Sequence, residues 1–310
     1  MTRRDERGVA LILVLWLVVV LSAVALEVVT SARAESRLAL NFRARAVSRY
    51  AAESGIEAAT TRLEDLLAQF QGPFPRAVLF HQLDEHLGAL RQVHLDGAEF
   101  SVEVQDLNAR IDLNLADGAT LVGLFSQFVP AGRAVAIADA LQDWRDEDDL
   151  VRPAGAERVD YDRAGRPWLP RNGLLQHASE LGYVMGMTDS LLRAMAPYVA
   201  VGSDGRVNVN SAPEIVLAAL PELGGAGARA IVGQRQRGGM FSSPHEALVL
   251  VGASSGRTGV SLTRLVVSPT RVLVVSRGWL SGHPLTHEIR AVYDVAGTRP
   301  TLYSWSEHDE

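Results

Sequence analysis

The chain of 310 residues contains neither cysteine nor lysine. Without cysteine it has no disulfide, no thiolate metal site and no cysteine nucleophile. All 30 basic residues are arginines, which we attribute to genomic base composition, and 36 acidic residues bring the formal net charge to −6. This balance gives no overall positive field to attract nucleic-acid phosphates, so only a local basic patch could do so.

Sequence signatures of nucleotide-binding sites and of a helical zinc site are also missing. The chain has no dinucleotide-binding fingerprint, and the glycine-rich stretch at residues 252–259 lacks the lysine of a phosphate-binding loop. His283 and His287 lie four residues apart beside Glu288, but in a strand-like context rather than the helix that a zinc pair at this spacing needs. These features favour a protein that is not an enzyme.

Proline is absent from the first 72 residues, where one apolar run dominates. Gly8 to Leu26 are 19 uncharged residues, about 28 Å as a helix at roughly 1.5 Å per residue, which matches the hydrocarbon core of a bilayer. Arg3, Arg4 and Arg7 precede the run and favour a cytoplasmic N-terminus, although two arginines that follow it weaken the asymmetry. The segment is therefore predicted to span a membrane.

A cleaved secretory signal is the main alternative, because Ala23-Val24-Ala25 is an acceptable cleavage site and would leave Leu26 as the first residue. A signal peptide predicts a break in the pattern after this site. The pattern instead continues as an amphipathic helix to Phe70. Its apolar positions recur mostly every three or four residues: Leu26, Val29, Leu38, Phe42, Ala46, Tyr50, Ile56, Ala59, Leu63, Leu66 and Phe70.

The N-terminus resembles the type IV pilin superfamily. The similarity lies in a short basic leader ending in Arg7-Gly8, a span that begins directly after the glycine, and "YAAESGIEAA" at residues 50–59. The resemblance implies that a prepilin peptidase cuts after Gly8 and methylates Val9, and that the helix stays on the mature subunit. Most such subunits carry a glutamate at the position of Leu13, where it is thought to pair with a neighbour's terminal amine.

Leu13 cannot make that pair, so the subunit is suited to the first place in a filament. In this respect the chain resembles the K-type minor pseudopilin family of type II secretion systems. The resemblance implies a pseudopilus tip that supports protein export, with I-type and J-type minor pseudopilins as partners and contacts to exported proteins and the outer-membrane secretin. It also implies a single-pass inner-membrane location with the bulk of the chain in the periplasm.

Strand patterns occur in two separated regions. "GAEFSVEVQDLN" at residues 97–108 alternates apolar and polar side chains, and similar patterns return in residues 262–280 and 286–295 around the turn "SGHPL". Between them the sequence is mainly helical and contains a repeat, because Arg110 and the residues after it align with Arg206 and its followers. In each copy Asn114 or Asn210 precedes a helical pattern, which we interpret as a helix start.

The predicted fold is α+β: a long transmembrane and amphipathic helix, a small antiparallel pilin-type sheet, and a large inserted all-α domain with two helix-hairpin-helix or SAM-like repeats. The predicted boundaries are a leader at 1–8, a pilin helix at 9–70 with the span at 9–26, the first part of the sheet at 71–109, the inserted domain at 110–255 with repeat units near 110–200 and 206–250, and closing strands at 256–305.

The second repeat suggests an alternative function, because residues 207–248 resemble the helix-hairpin-helix module of membrane-anchored DNA-uptake receptors. Such modules hold the phosphate backbone with main-chain N–H groups of a Gly-hydrophobic-Gly hairpin after Leu-Pro. Here Leu220-Pro221 is followed by Glu222, which places a carboxylate where a phosphate would approach. We therefore expect a protein-binding or structural role and no nucleic-acid binding.

An acidic segment follows the first repeat, with Asp143, Asp146, Asp148, Glu157 and Asp160 as candidate ligands for Ca²⁺. Calcium takes six to eight oxygen ligands in flexible geometry, and Asp143 and Asp146 share a helix face. The residues alone leave open a solvated acidic loop offset by neighbouring arginines. The K-type resemblance, whose members have a similar Asp-Trp-x-Asp-x-Asp followed by Gly-Ala-Glu and bind calcium, favours the metal.

Overall fold

One helix dominates the N-terminal part of the chain. In the computed structural model, which describes residues 3–252 and 262–309, α1 (Arg3–Gln69) runs unbroken for 67 residues. The absence of proline and the single internal glycine after residue 8 allow this length. α1 therefore covers the predicted helix as far as residue 69 and also includes residues 3–8 of the predicted leader, whereas the predicted boundary at 255/256 lies outside the described residues.

The remaining elements are short. Nine further helices are described: α2 (Pro73–His81), α3 (Leu83–Leu87), α4 (Gly118–Phe125), α5 (Ala131–Arg145), α6 (Arg158–Arg163), α7 (Asp189–Met195), α8 (Glu214–Ala219), α9 (Gly224–Gln236) and α10 (Pro244–Leu250). The strands in the same ranges are β1 (Val93–Leu95), β2 (Ala98–Asp106), β3 (Ile111–Asp112), β4 (Val199–Ala200), β5 (Val207–Asn208), β6 (Leu265–Val266), β7 (Arg271–Leu280), β8 (Thr286–Asp294) and β9 (Thr301–Asp309).

The main sheet has five antiparallel strands in the order β1-β2-β7-β8-β9. The predicted strands correspond to β2, β7 and β8. The sequence analysis missed β1 and β9, and it assigned residues 73–87 to the sheet although they form α2 and α3, with a proline in the first turn of α2. Proline suits the first turn of a helix because it has no N–H to leave unpaired.

The C-terminal half of α1 packs on one face of this sheet. Ile56, Ala59 and Leu63 are buried there, as predicted. Phe42 and Tyr50 belong to the same apolar pattern but are 66% and 69% exposed. The sheet contacts the side of α1 that carries Ser48, Ala51 and Ala52, and Tyr50 lies on another side.

A block of helices is inserted in the chain between β2 and β7. β2 and β7 are direct neighbours, with Ala98 opposite Leu280 and Asp106 opposite Val272. The residues between these strands form their own apolar core, separate from the core between α1 and the sheet. The predicted insertion between strands of one sheet is thus observed, although it also holds the two-residue parallel pairs β3–β4 and β5–β6.

Asn114 and Asn210 do not start the helices that follow them. α4 begins four residues after Asn114, with Asp117 as its N-cap, and α8 begins at Glu214 after Pro213. Oδ1 of the Asp117 carboxylate accepts the backbone N–H of Thr120 at 2.8 Å. The amides of both asparagines bind backbone elsewhere, so their role is to hold loops rather than to cap helices.

Candidate functional site

The N-terminal half of α1 exposes its apolar side chains. In the described part of the chain, α1 is the one helix long and apolar enough to cross a membrane, and its most apolar window has a mean hydropathy of 2.8 with none of it buried. Gly8 and Val9, the predicted processing residues, lie in its first turns. Leu13 stands at the position where pilins carry an acid, and its side chain is 65% exposed because no other part of the described chain packs against it.

The acidic segment forms a buried cluster where α5 ends. Asp143 is completely buried, and its Oδ1 lies 2.7 Å from Nη1 of Arg152. The same nitrogen lies 2.5 Å from Oδ2 of Asp146. The backbone N–H of Arg152 also points at both oxygens of Asp143, at 3.3 and 3.2 Å. One arginine therefore bridges two carboxylates that the helix places three residues apart.

Glu157 is the third carboxylate of this cluster, and it is 5% exposed. Oδ1 of Asp146 has no hydrogen-bond partner within the described ranges, whereas the side chain of Glu157 forms the capping box at the start of α6 with Asp160. Burial, together with the charges of Asp143 and Asp146, raises the pKa of Glu157 to about 7. Arg152 contributes one positive charge to the three carboxylates, so the cluster as a whole remains acidic.

A glycine and two aromatic residues pack around the cluster. A Cβ on Gly155 would lie 1.9 Å from Oδ2 of Asp143, so only glycine lets the loop approach this carboxylate. Trp144 and Tyr161 are buried beside it with ring centroids 5.6 Å apart, and burial raises the pKa of Tyr161 to about 12. Low water access strengthens electrostatic interactions among the charges.

The other two predicted ligands make local hydrogen bonds. Asp148 accepts the N–H of Leu150 at 2.8 Å. Asp160 accepts the N–H of Glu157 at 3.1 Å and pairs with Arg163 at 3.0 Å. No three acidic or histidine side chains in the described residues converge closely enough to hold a metal ion. Arg152 is the residue that the sequence analysis missed, since it treated this arginine as one of several surface counter-charges.

Oxygen-only ligands of the kind that the sequence predicts here favour Ca²⁺ over softer metals. In the described residues, Arg152 supplies the positive charge at Asp143 and Asp146, and Oδ1 of Asp146 is the buried oxygen of this pair that has no donor.

Glu222, predicted to stand where a phosphate would approach in a DNA-binding hairpin, lies inside the helical block. Its side chain is 9% exposed and lies 3.9 Å from Nη1 of Arg264, which also pairs with Asp117. Arg235, a basic residue of the same segment, donates to the backbone carbonyl of Ala212 at 2.6 Å, and burial lowers its pKa. These arginines therefore join parts of the helical block.

The architecture defines a pilin-like subunit: a long N-terminal helix laid on a small antiparallel sheet, with a helical block between the two central strands. Two family models described as type II secretion system protein K match residues 108–204 and 207–268, together just over half of the chain, and a PilX N-terminal model matches residues 7–57. The chain belongs to the protein K family of the type II secretion system.

Similar proteins agree with this assignment. Type II secretion system protein K of Aeromonas hydrophila is 32% identical over 139 residues, and that of Pectobacterium carotovorum subsp. carotovorum is 34% identical over 117 residues. These alignments cover 38% and 36% of this chain and 42% and 36% of the two relatives, so the chain matches about two fifths of their length. A crystal structure of the GspK-GspI-GspJ complex from enterotoxigenic Escherichia coli contains a chain of the same fold, with a TM-score of 0.68 and 19% identity over 89% of this chain and all of that chain.

Proposed function

We propose that the chain is the K-type minor pseudopilin of a type II secretion system, which caps the pseudopilus tip and supports protein export across the outer membrane. The observation that carries the proposal is the position of the family match. The two protein K segments occupy the block that leaves the pilin sheet after β2 and returns before β7. A block of this size adds bulk at one level of the subunit, which suits a terminal place rather than a repeated filament lattice.

The N-terminal helix is the membrane part of this proposal. The apolar half of α1 would hold the subunit in the inner membrane, with the sheet and the helical block in the periplasm. Prepilin peptidase would cut between Gly8 and Val9 and methylate Val9. Leu13 leaves no carboxylate for a neighbour's terminal amine, which fits a subunit that starts a filament.

I-type and J-type minor pseudopilins are the proposed partners, since the similar Escherichia coli chain was solved in a complex with such subunits. The surface for them on this chain is the side of α1 beyond the span that the sheet does not cover. Leu38, Phe42 and Tyr50 are exposed there by 55%, 66% and 69%. Apolar residues at helical spacing suit packing against another helix. Exported proteins and the secretin would meet the subunit at its helical block.

Calcium binding at Asp143, Asp146 and Glu157 is a further part of the proposal, with Asp148 and Asp160 as outer members of the acidic segment. The support is the burial of Asp143 and Glu157 beside Asp146, whose Oδ1 has no donor within the described residues. We also propose that the protein has no enzymatic role. The DNA-uptake alternative receives no support from the family matches, and Glu222 and Arg235 are engaged inside the helical block.

Two experiments test the function. The mass and N-terminal sequence of the protein from its own membranes should show methylated Val9, whereas a start at Leu26 would identify a discarded export signal and an uncut Met1 a plain anchor. A strain lacking the gene should lose secretion and regain it with the wild-type chain. Replacing Phe42 and Tyr50 together by aspartate should abolish both rescue and cross-linking to the I-type subunit, while Arg171→Gln should preserve both.

A further inference from the structure

The five-stranded sheet has one long edge that no other described strand covers. β9 ends the strand order, with β8 as its one neighbour among the described strands. The opposite edge is β1, which has three residues, whereas β9 has nine. The outer edge of a strand presents backbone N–H and C=O groups to which another strand can pair, and short edge strands limit this exposure. β9 is therefore the edge that is open to an added strand.

β9 also lacks the residues that usually protect an edge. It contains no proline and no lysine, and eight of its nine residues are exposed, so neither α1 nor the helical block covers its faces. The pairing with β8 shifts at Tyr303, whose ring centroid lies 3.7 Å from Cζ of Arg271. Residues 304–307 follow this shift and pair with β8 in regular register. They form a straight part of the edge.

The cleft between β9 and the helical block is basic. It has a volume of about 950 Å³, and Arg110 and Arg290 line it. Arg110 donates to the neutral amide oxygen of Gln105 at 2.8 Å, and no carboxylate of the described residues forms an ion pair with it. Burial and the nearby charge of Arg290 lower the pKa of Arg110. Arg290 lies 3.3 Å from Glu288, but this carboxylate also pairs with Arg277 at 2.6 Å. The arginines of the cleft therefore have little negative charge of their own.

The side chains of β9 leave this positive charge accessible. Ser306 stands opposite Arg290 of β8, and its small side chain leaves room for the arginine above it. Glu307 also lines the cleft, but it pairs with Arg49 of α1 at 3.4 Å. Neighbouring strands lie about 4.8 Å apart, so a strand added to β9 would lie about 10 Å from β8. An arginine and a glutamate side chain together can span this distance.

The opposite face of β9 favours apolar contacts. Trp305 stands opposite Ala291, on the face of the sheet that packs against α1, and it is 42% exposed. Side chains alternate between the two faces of a strand, so a segment whose acids face Arg290 turns its intervening residues toward Trp305. Apolar pairs across neighbouring strands stabilise a sheet. The surface therefore suits an extended segment in which acidic and apolar residues alternate.

We propose that the edge of β9 binds an extended segment of another protein, which directs acidic side chains toward Arg110 and Arg290 and apolar side chains toward Trp305. In such strand addition, main-chain hydrogen bonds provide affinity and alternate side chains provide specificity. This contact is additional to the one proposed above between the uncovered side of α1 and the other minor pseudopilins.

The test is a fluorescence anisotropy titration of the full chain in detergent micelles with a labelled peptide of alternating glutamate and valine, as long as β9. This glutamate peptide should bind the wild type, and its affinity should fall as NaCl is raised, because salt screens the contact with the arginines. Two control peptides should bind at least about tenfold more weakly. One has N-methylated backbone amides and cannot pair as a strand, and the other has lysine in place of glutamate. Empty micelles measure the background.

Variants of the chain test the role of the arginines. Arg110→Gln and Arg290→Gln should each weaken binding of the glutamate peptide by about tenfold, the size of one charged hydrogen bond. Arg110→Lys keeps the charge and should retain most of the affinity, which separates loss of charge from loss of folding. Arg237→Gln is the matched control, because this exposed arginine donates to Gln234 at 3.0 Å outside the cleft. It should bind the peptide as the wild type does.

Hydrogen exchange locates the contact. The bound glutamate peptide should slow exchange of backbone amides in residues 304–307, because pairing removes them from water. Failure of this peptide to bind, equal binding of either control peptide, or protection confined to other parts of the chain would overturn the proposal. Unchanged affinity in both glutamine variants would also overturn it, because the acids would then bind elsewhere. None of these results bears on the pseudopilin function, which secretion rescue tests independently.

Discussion

The side-chain amide of Asn210 forms two hydrogen bonds with the backbone of Phe241. Its Oδ1 accepts the N–H of Phe241 at 2.9 Å, and its Nδ2 donates to the carbonyl of the same residue at 2.9 Å. Asn114 makes the same pair of bonds to Leu175, at 2.9 and 2.8 Å. The two asparagines stand at equivalent places in the aligned repeats. In each repeat, one side-chain amide therefore holds a loop that lies further along the chain.

These hydrogen bonds predict that shortening the Asn210 side chain lowers the stability of the protein. Asn210→Ala removes the two bonds to Phe241 and a third to the carbonyl of Val267 at 2.8 Å, leaving partly buried backbone groups unpaired. We expect a loss of about 2 to 4 kcal/mol in the free energy of unfolding, measured by denaturant titration in detergent. Gln127→Ala removes a single exposed bond of 3.3 Å and should change stability by less than about 0.5 kcal/mol. Similar losses for both variants would contradict the proposed role of Asn210.

A second prediction concerns the contact between α1 and the sheet. A Cβ on Gly278 of β7 would lie 2.3 Å from the backbone of both Ser48 and Ala52, so Gly278→Ala forces the helix away from the sheet. Overpacking against rigid backbone should cost about 1 to 3 kcal/mol and lower the melting temperature. Gly88→Ala is the matched control, since its Cβ would meet nothing within 4 Å. A Gly278→Ala chain that melts with the wild type would show that α1 is not held at this point.

The acidic cluster predicts how stability depends on pH without calcium. The folded chain raises the pKa of Glu157 from 4.5 to about 7, so it binds more protons than the unfolded chain between these values. The contribution of Glu157 to stability should therefore be largest below about pH 4.5 and should fall as pH rises through 7, by up to about 3 kcal/mol at 1.36 kcal/mol per pKa unit. Melting curves in chelator check this, and Glu157→Gln should remove the decline. A wild-type melting temperature that rises from pH 5 to pH 7, with no difference in Glu157→Gln, would refute it.

A fourth prediction concerns DNA binding by the second repeat. Because Glu222 and Arg235 face partners within the helical block, the full chain in detergent should show no salt-dependent binding to duplex DNA in a fluorescence anisotropy titration. Glu222→Gly introduces a glycine at the position where DNA-binding hairpins carry one. It removes one acid but leaves Arg235 bound to the backbone of Ala212, so this variant should also fail to bind DNA. Tight binding by Glu222→Gly would mean that the acid alone had blocked a competent hairpin.

Local signals predicted the elements with regular patterns. α1 follows from a long stretch without proline and from apolar residues at helical spacing, and β2, β7 and β8 follow from alternation. β9 was missed although "TLYSWSEHD" contains Tyr303 and Trp305 two residues apart. As an edge strand it exposes Leu302, Tyr303 and Trp305, so its two faces lack the contrast between buried and polar positions that marks a strand in sequence.

The sequence by itself determined the apolar span, the amphipathic helix, the strand patterns and the acidic composition of the candidate site, because these depend on residue types at short spacing. Only the tertiary structure decided that β2 pairs with β7 across the helical block, that Asn114 and Asn210 hold distant loops, and that Arg152 lies among the carboxylates. Each of these is a contact between residues separated along the chain. Such contacts are set by how the separate cores pack, and no local pattern encodes which arginine enters a buried acidic cluster.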